Sequence, residues 1–240
     1  SLRSIRLFEK LYENFSVDVI TYKNNGINKD LLIKYKKSNF FFFNSKHEKP
    51  KNLTYFNRLI SKTLPGFSSH DPQLIANDID ELSVNNGAYD IYYFATQLMG
   101  QSKLFMVTSG FSIIDVYDIY TTYTKSKLKV LKLYSPFYWL FFIEALRVKN
   151  FEKQLLRSFD MILVTCFENY LKVNSFNLLN SLHEISNGTN YPEEIHIKKG
   201  KHLLMVGNFE YSGNLNGIQW FLKAVWPLLK AKININLVLV

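Results

Sequence analysis

Apolar and polar positions alternate along this chain in two periods, and the periods take turns. Leu2, Ile5, Phe8, Leu11 and Tyr12 recur at helical spacing over Leu2–Phe15, and Val17–Tyr22 then reads as a strand. Residues 23–52 are basic and irregular, apart from Phe40–Phe43, which is expected to be a buried strand. Leu53–Thr63 and Pro72–Val84 are predicted helices, parted by Pro65-Gly66. Tyr89–Phe94 is a strand entered from the Asn85-Asn86-Gly87 turn, Gln97–Val107 a helix, and Phe111–Val116 a strand. Helices are predicted over Tyr120–Leu131 and Pro136–Arg157, then strands over Phe159–Val164 and Leu182–Ser186. Leu203–Val206 is a further strand, followed by a Gly/Asn/Ser-rich loop. Gly217–Lys230 is a helix with Ile218, Phe221, Leu222, Val225, Leu228 and Leu229 in register.

Strands alternating with helices indicate α/β layers on a parallel sheet. The polar stretch 187–201, with Gly188, Pro192 and Lys198-Lys199-Gly200, is the best linker, so the expected division is 1–186, 187–201 and 202–240. A parallel βαβ unit needs both strands to bury its faces. A chain opening on a helix that runs into a buried strand is therefore expected to lack the strand before it. The unit begun at His202 stops inside a strand at Val240, so the second domain is expected to be cut short and the chain alone inactive.

Composition changes this picture little. The 240 residues are 47% hydrophobic, enough for a full core. The net charge of +9 is unevenly spread: residues 1–60 carry twelve basic and five acidic groups, residues 61–120 two and seven. Basic stretches at 1–60 and 121–135 suit an anionic lipid surface, a nucleic acid or a nucleotide-linked substrate, or are merely solvated. No nucleic-acid-binding signature is present, so no nucleic-acid partner is expected. Cys166 is the only cysteine and reads as a small buried hydrophobe, and the five histidines form no paired motif, so no metal site is expected. The longest apolar run, Pro136–Ile143, is far short of the ~20 residues of a spanning helix. It reads as a core helix or, because Lys125, Lys127, Lys129 and Lys132 precede it, as an interfacial helix touching an anionic membrane.

The chemistry concentrates after residue 202. A buried strand, a glycine loop and a helix N-terminus form the usual cradle for a phosphate, because free backbone N–H groups converge there and the helix dipole adds partial positive charge. The same glycines also serve an ordinary βα turn. The literal residues narrow this: Gly207, Tyr211, Asn214, Gly217, Trp220, Phe221, Trp226 and Pro227 make a Gly-x-x-x-Tyr-x-x-Asn-x-x-Gly-x-x-Trp-Phe pattern ending in Trp-Pro. This segment resembles the opening of the C-terminal domain of glycosyltransferase family 4 enzymes with the GT-B fold. Weaker matches precede it in order: Tyr89-Asp90-Ile91, the strand end Ile113–Asp118, the helix with Phe151-Glu152 leading to Phe159-Asp160, and the hinge strand Ile185–Asn190.

The resemblance implies a Rossmann-like N-terminal acceptor domain plus the first βαβ unit of a second, nucleotide-sugar-binding domain. It implies a sugar transferase acting in cell-surface polysaccharide or glycoconjugate biosynthesis, with a nucleotide-sugar as substrate, a glycan or lipid-linked acceptor and no cofactor. The location implied is cytoplasmic, free or at the inner face of the membrane.

Asp115 and Asp118 become the candidate catalytic carboxylates, since ligands bind outside the C-terminal ends of parallel strands and a carboxylate there can accept a hydroxyl proton. Structural roles compete: Asp118 as a helix cap, Asp115 as a loop anchor. Gly207, Asn208, Tyr211, Asn214, Asn216 and Gly217 become donor-binding candidates. Arg6 and Arg3 are candidates for a diphosphate or acceptor loop; Arg6 fits the family pattern better, and Arg3 reads as a surface residue of the first helix. Relatives carry Arg and Lys where Asn208 and Asn216 stand here, and asparagine brings no charge to a leaving diphosphate. The family's Glu-x7-Glu donor motif would lie beyond Val240. A binding protein of the same architecture without catalysis, or a basic peripheral membrane protein, is the alternative.

Overall fold

A computed structural model of the chain describes residues 2–22, 34–43, 71–128, 131–188, 202–210 and 212–240. The predicted helix at 53–63, the Pro65-Gly66 break, Tyr211 and most of the 187–201 linker lie outside the described residues. The chain forms two compact units, Ser1–Gly188 and Thr189–Val240.

The first unit is a mixed α/β body with parallel sheets, consistent with a Rossmann-like fold. Helix α1 (Leu2–Asn14) leads to β1 (Val19–Tyr22), which pairs in parallel with β2 (Phe40–Phe43), Val19 opposite Phe40. The aromatic run of β2 is only partly enclosed, with Phe43 buried and Phe42 exposed. Helix α2 (Pro72–Asn86) starts where Asp71 caps the backbone N–H of Gln73 and Pro72 occupies the first turn, and it ends at Gly87, whose φ of 85° belongs to the left-handed region that glycine tolerates. Then come β3 (Ile91–Phe94), α3 (Gln97–Gly100) with a 3₁₀ turn (Gln101–Leu104), β4 (Phe111–Val116), α4 (Tyr120–Leu128), α5 (Pro136–Arg157), β5 (Met161–Val164), α6 (Phe167–Asn174) and β6 (Ser181–Glu184).

Strands β3, β4, β5 and β6 form one parallel sheet in chain order. Its core joins Ile114, Val116, Ile162 and Val164 from the central strands to Leu155, Leu156 and Phe159 at the end of α5. Gly100 lets α3 approach this layer closely, since a Cβ there would sit 2.7 Å from Ile114 Cδ1. The predicted Gln97–Val107 helix is shorter than expected. The Ser102 hydroxyl bonds back to the Met99 carbonyl, and the chain leaves the helix after a single 3₁₀ turn.

The second unit is one parallel βαβ. Strand β7 (His202–Met205) pairs with β8 (Asn236–Leu239), and α7 (Ser212–Trp220) continues through a π turn (Phe221–Val225) into α8 (Trp226–Lys230). The π turn has an identifiable cause: Pro227 lacks the N–H needed to continue the ordinary ladder. The helix starts five residues earlier than its apolar periodicity predicts, so Gly213, Asn214 and Asn216 lie on the helix rather than in the loop. Among the described residues, no helix is long and apolar enough to cross a membrane.

Candidate functional site

In the first unit the polar residues gather at the C-terminal ends of the parallel strands. Asp115, near the end of β4, is completely buried. Arg3, in the first turn of α1, grips it with two bonds, Nε to Oδ2 at 2.8 Å and Nη2 to Oδ1 at 3.0 Å. The remaining Arg3 nitrogen, Nη1, donates to the carbonyl of Ile185 just after β6 at 2.5 Å. Tyr93 on β3 donates its hydroxyl to Asp115 Oδ2 at 2.8 Å. One guanidinium thus ties together α1, β4 and the end of β6, and its carboxylate partner adds β3. Burial opposes the charge on Arg3, but the bonds and field of Asp115 prevail and raise its pKa. Burial, followed by the Asp115 charge and hydrogen bond, pushes the Tyr93 phenol well above its ordinary value, so it stays protonated and donating.

This geometry corrects the expectation that Arg3 lies at the surface of the first helix. Arg3 is not a surface residue; its side chain is 8% exposed. Arg6 is half exposed and meets Glu9 at 3.5 Å, one helical turn along α1. For Asp115 the geometry favours anchoring. Both oxygens are engaged and water is excluded, so the carboxylate is placed to hold Arg3 rather than to take a substrate proton. Asp118, three residues on, is exposed at the same edge of the sheet.

The backbone around Asp118 is held from two sides. The Tyr117 carbonyl accepts from Asn169 Nδ2 at 2.9 Å and from the Thr165 hydroxyl at 3.2 Å, both from the segment after β5. Tyr117's hydroxyl lies 2.6 Å from Ser4 Oγ, and its ring lies under the Arg3 guanidinium. On the other side, Glu152 of α5 is fully buried and accepts from the N–H groups of Tyr120 (2.8 Å) and Thr121 (3.0 Å), the Thr121 hydroxyl (2.6 Å) and Gln97 Nε2 (3.1 Å). It caps α4 from a neighbouring helix, placing negative charge where the dipole favours it. The Tyr120 phenol is pushed upward by burial, then by Glu152 and Asp118.

Tyr93, Ser4, Thr165 and Asn169 were not predicted; their partners lie 22 to 113 residues away, and no local pattern marks them. Glu152 was visible only as part of the resembled helix. A carboxylate five residues before a predicted helix end, flanked by apolar Phe151 and Leu155, was the available signal. Cys166 is half-buried rather than buried, at the N-cap of α6.

In the second unit the strand-to-helix connection runs through Gly207 and Asn208. Asn208 Oδ1 accepts from the Glu210 N–H at 2.9 Å, a local turn, and Asn214 Nδ2 donates to the Asn208 carbonyl at 3.0 Å. Asn214 therefore shapes the connection. Asn216 and Gly217 are exposed. An added Cβ at Gly217 would meet nothing within 4 Å, so the surrounding protein gives no reason for glycine in this helix. Tyr211 lies outside the described residues.

No protein-family model matches this chain, and no curated protein matches it.

Proposed function

We propose that the protein transfers a sugar from a nucleotide-sugar donor to a glycan or lipid-linked acceptor, with the GT-B arrangement of two Rossmann-like domains. The observation that carries this reading is the sequence pattern Gly207, Asn214, Gly217, Trp220-Phe221 and Trp226-Pro227 laid over a strand, a short turn and a helix. Free N–H groups at the start of that helix suit a diphosphate, and glycine at 217 keeps the exposed helix surface open to a ligand. Because Asn208 and Asn216 bring no charge, stabilisation of the leaving diphosphate falls to the helix dipole and backbone donors.

On the acceptor side, Asp118 is the group we assign as general base. It is exposed at the strand ends, and its flanking backbone is fixed by Asn169 and Glu152. Asp115, Arg3 and Tyr93 are positioning residues that hold the rim on which it sits. The test is a transfer assay with nucleotide-sugars on the protein as its gene encodes it, comparing wild type with Asp118→Asn. The expected result is a loss of about 10²- to 10⁴-fold in kcat with donor affinity unchanged. Donor binding without turnover in the wild type would favour the non-catalytic alternative. Full activity in Asp118→Asn would remove that residue from the chemistry.

A further inference from the structure

Helix α5 is far longer than the sheet it serves. Its 22 residues span about 33 Å at 1.5 Å per residue, whereas the strands of this sheet, four to six residues long, span about 13–20 Å. Its C-terminal end is registered to the start of the strands, where the Asp160 carboxylate accepts from the Ser112 backbone N–H at 2.8 Å. By Glu152 the helix has already reached the N-terminus of α4, past the other end of β4. The residues before Glu152 therefore run on beyond the strand ends with α4 packed alongside, as a helical hairpin on the same edge as Asp118.

One face of the projecting part is apolar and open. Trp139, Phe142, Ile143 and Leu146 follow i, i+3, i+4, i+7 spacing and are all exposed, Trp139 by 58%. The turn before the helix adds Leu133 and Tyr134, both largely exposed. The charge near this face has an excess of one sign. That excess is positive: Lys125 and Lys132 are exposed, and over residues 119–149 six basic residues stand against one carboxylate, Glu144.

We propose that the α4–α5 hairpin docks on an anionic lipid bilayer, with Trp139, Phe142, Ile143 and Leu146 entering the headgroup boundary and Lys125 and Lys132 meeting lipid phosphates. Trp and Tyr at the rim of an apolar patch suit an interface that is wet on one side and dry on the other. A second copy of the chain is a poorer occupant, because a self-complementary contact would bring each copy's basic residues against the other's with only Glu144 to offset them. This docking stands apart from the transferase reading. Joined to it, and resting on it, the hairpin's position beside Asp118 narrows the acceptor to a lipid-linked one presented at the bilayer surface.

The test is vesicle flotation of the full chain without any nucleotide, using phosphatidylcholine vesicles and vesicles containing about one-third phosphatidylglycerol, at low and high salt. The expected result is at least tenfold stronger binding to the anionic vesicles, weakened by salt. Trp139→Ser with Phe142→Ser should reduce that binding at least tenfold at unchanged melting temperature, and Lys125→Gln and Lys132→Gln should each cost about fivefold. Sedimentation velocity on the same proteins reads the rival occupant. Equal binding to both vesicle types, no binding, an unaffected Trp139/Phe142 variant, or a dimer dissolved by that variant would each overturn the proposal.

Discussion

Residues 1–188 bury a continuous core on a four-stranded parallel sheet, whereas Ile218 is the only buried side chain among those described from 202 onward. Both regions are built from the same local ingredients: short apolar strands, a turn, an amphipathic helix and parallel pairing. They differ in layers. In the first unit, the central strands β4 and β5 each have a strand on either side, and α2, α3 and α5 supply Ile75, Gly100 and Leu155 against the sheet. In the second, among the described residues, β7 and β8 pair only with each other, and Leu204, Val206 and Val238 stay exposed. Local pattern suffices to form elements; burial needs neighbours on both faces.

The sharpest way to break this comparison is a matched pair of truncations. Phe159→Ala should cost about 3–5 kcal/mol of unfolding free energy, since the ring is buried between Phe94, Ile114 and the end of α5. Leu228→Ala, at a site 67% exposed, should cost less than about 0.5 kcal/mol. Urea melts of both variants check this, and similar costs would show that the second unit has a core of its own.

Arg3→Met tests what holds the strand-end rim. It leaves the buried Asp115 carboxylate without its cation and should cost about 3 kcal/mol or more. Adding Asp115→Asn should recover part of that loss in a double-mutant cycle, because the uncompensated charge is gone. A merely additive double variant would mean that the pair is not coupled.

Asn214→Ala probes the second unit's own connection. Losing the bond to the Asn208 carbonyl should cost about 1 kcal/mol, felt locally as faster amide exchange at 207–210 and not in the first unit.

The smallest effect is a pH dependence of the first unit. Asp80 is lowered despite a burial penalty, by the Thr108 hydroxyl and the Thr108 and Val107 N–H groups, and Asp160 is lowered by Ser112. A depressed folded-state pKa contributes stability above the ordinary value of 3.8 that is lost as pH falls through the folded-state value. Acid titration below that value should therefore loosen the first unit, and Asp80→Asn should flatten the dependence.

Much of the fold was legible because its boundaries are local chemistry. Pro136 and Arg157 bound α5 as the pattern predicts, and Asp71-Pro72 starts α2. The misses have physical reasons. Helix α6, Phe167–Asn174, was not anticipated: it is only eight residues long, and its buried residue, Val173, lies off the Phe167, Tyr170, Leu171 stripe, which stays largely exposed. The start of α7 was placed at Gly217 because glycine and asparagine disfavour helices, yet the Asn208 turn and Asn214 set the first turn from Ser212. The rim was legible as residue types and illegible as partnerships. Arg3 and Asp115 are 112 positions apart, and nothing near Arg3 in sequence distinguishes it from Arg6.

The account rests most heavily on the 207–217 segment as a donor diphosphate site. Its most direct test is nucleotide-sugar titration by calorimetry into the protein as its gene encodes it and into Gly217→Val, with melting temperatures taken alongside. Because a Cβ at 217 meets no protein atom within 4 Å and the position is exposed, the variant should stay folded. A donor site at this helix predicts affinity weakened at least about tenfold, equivalent to about 1.4 kcal/mol, at nearly unchanged melting temperature. Equal affinities in the two proteins, or a lowered melting temperature with unchanged binding, would contradict it.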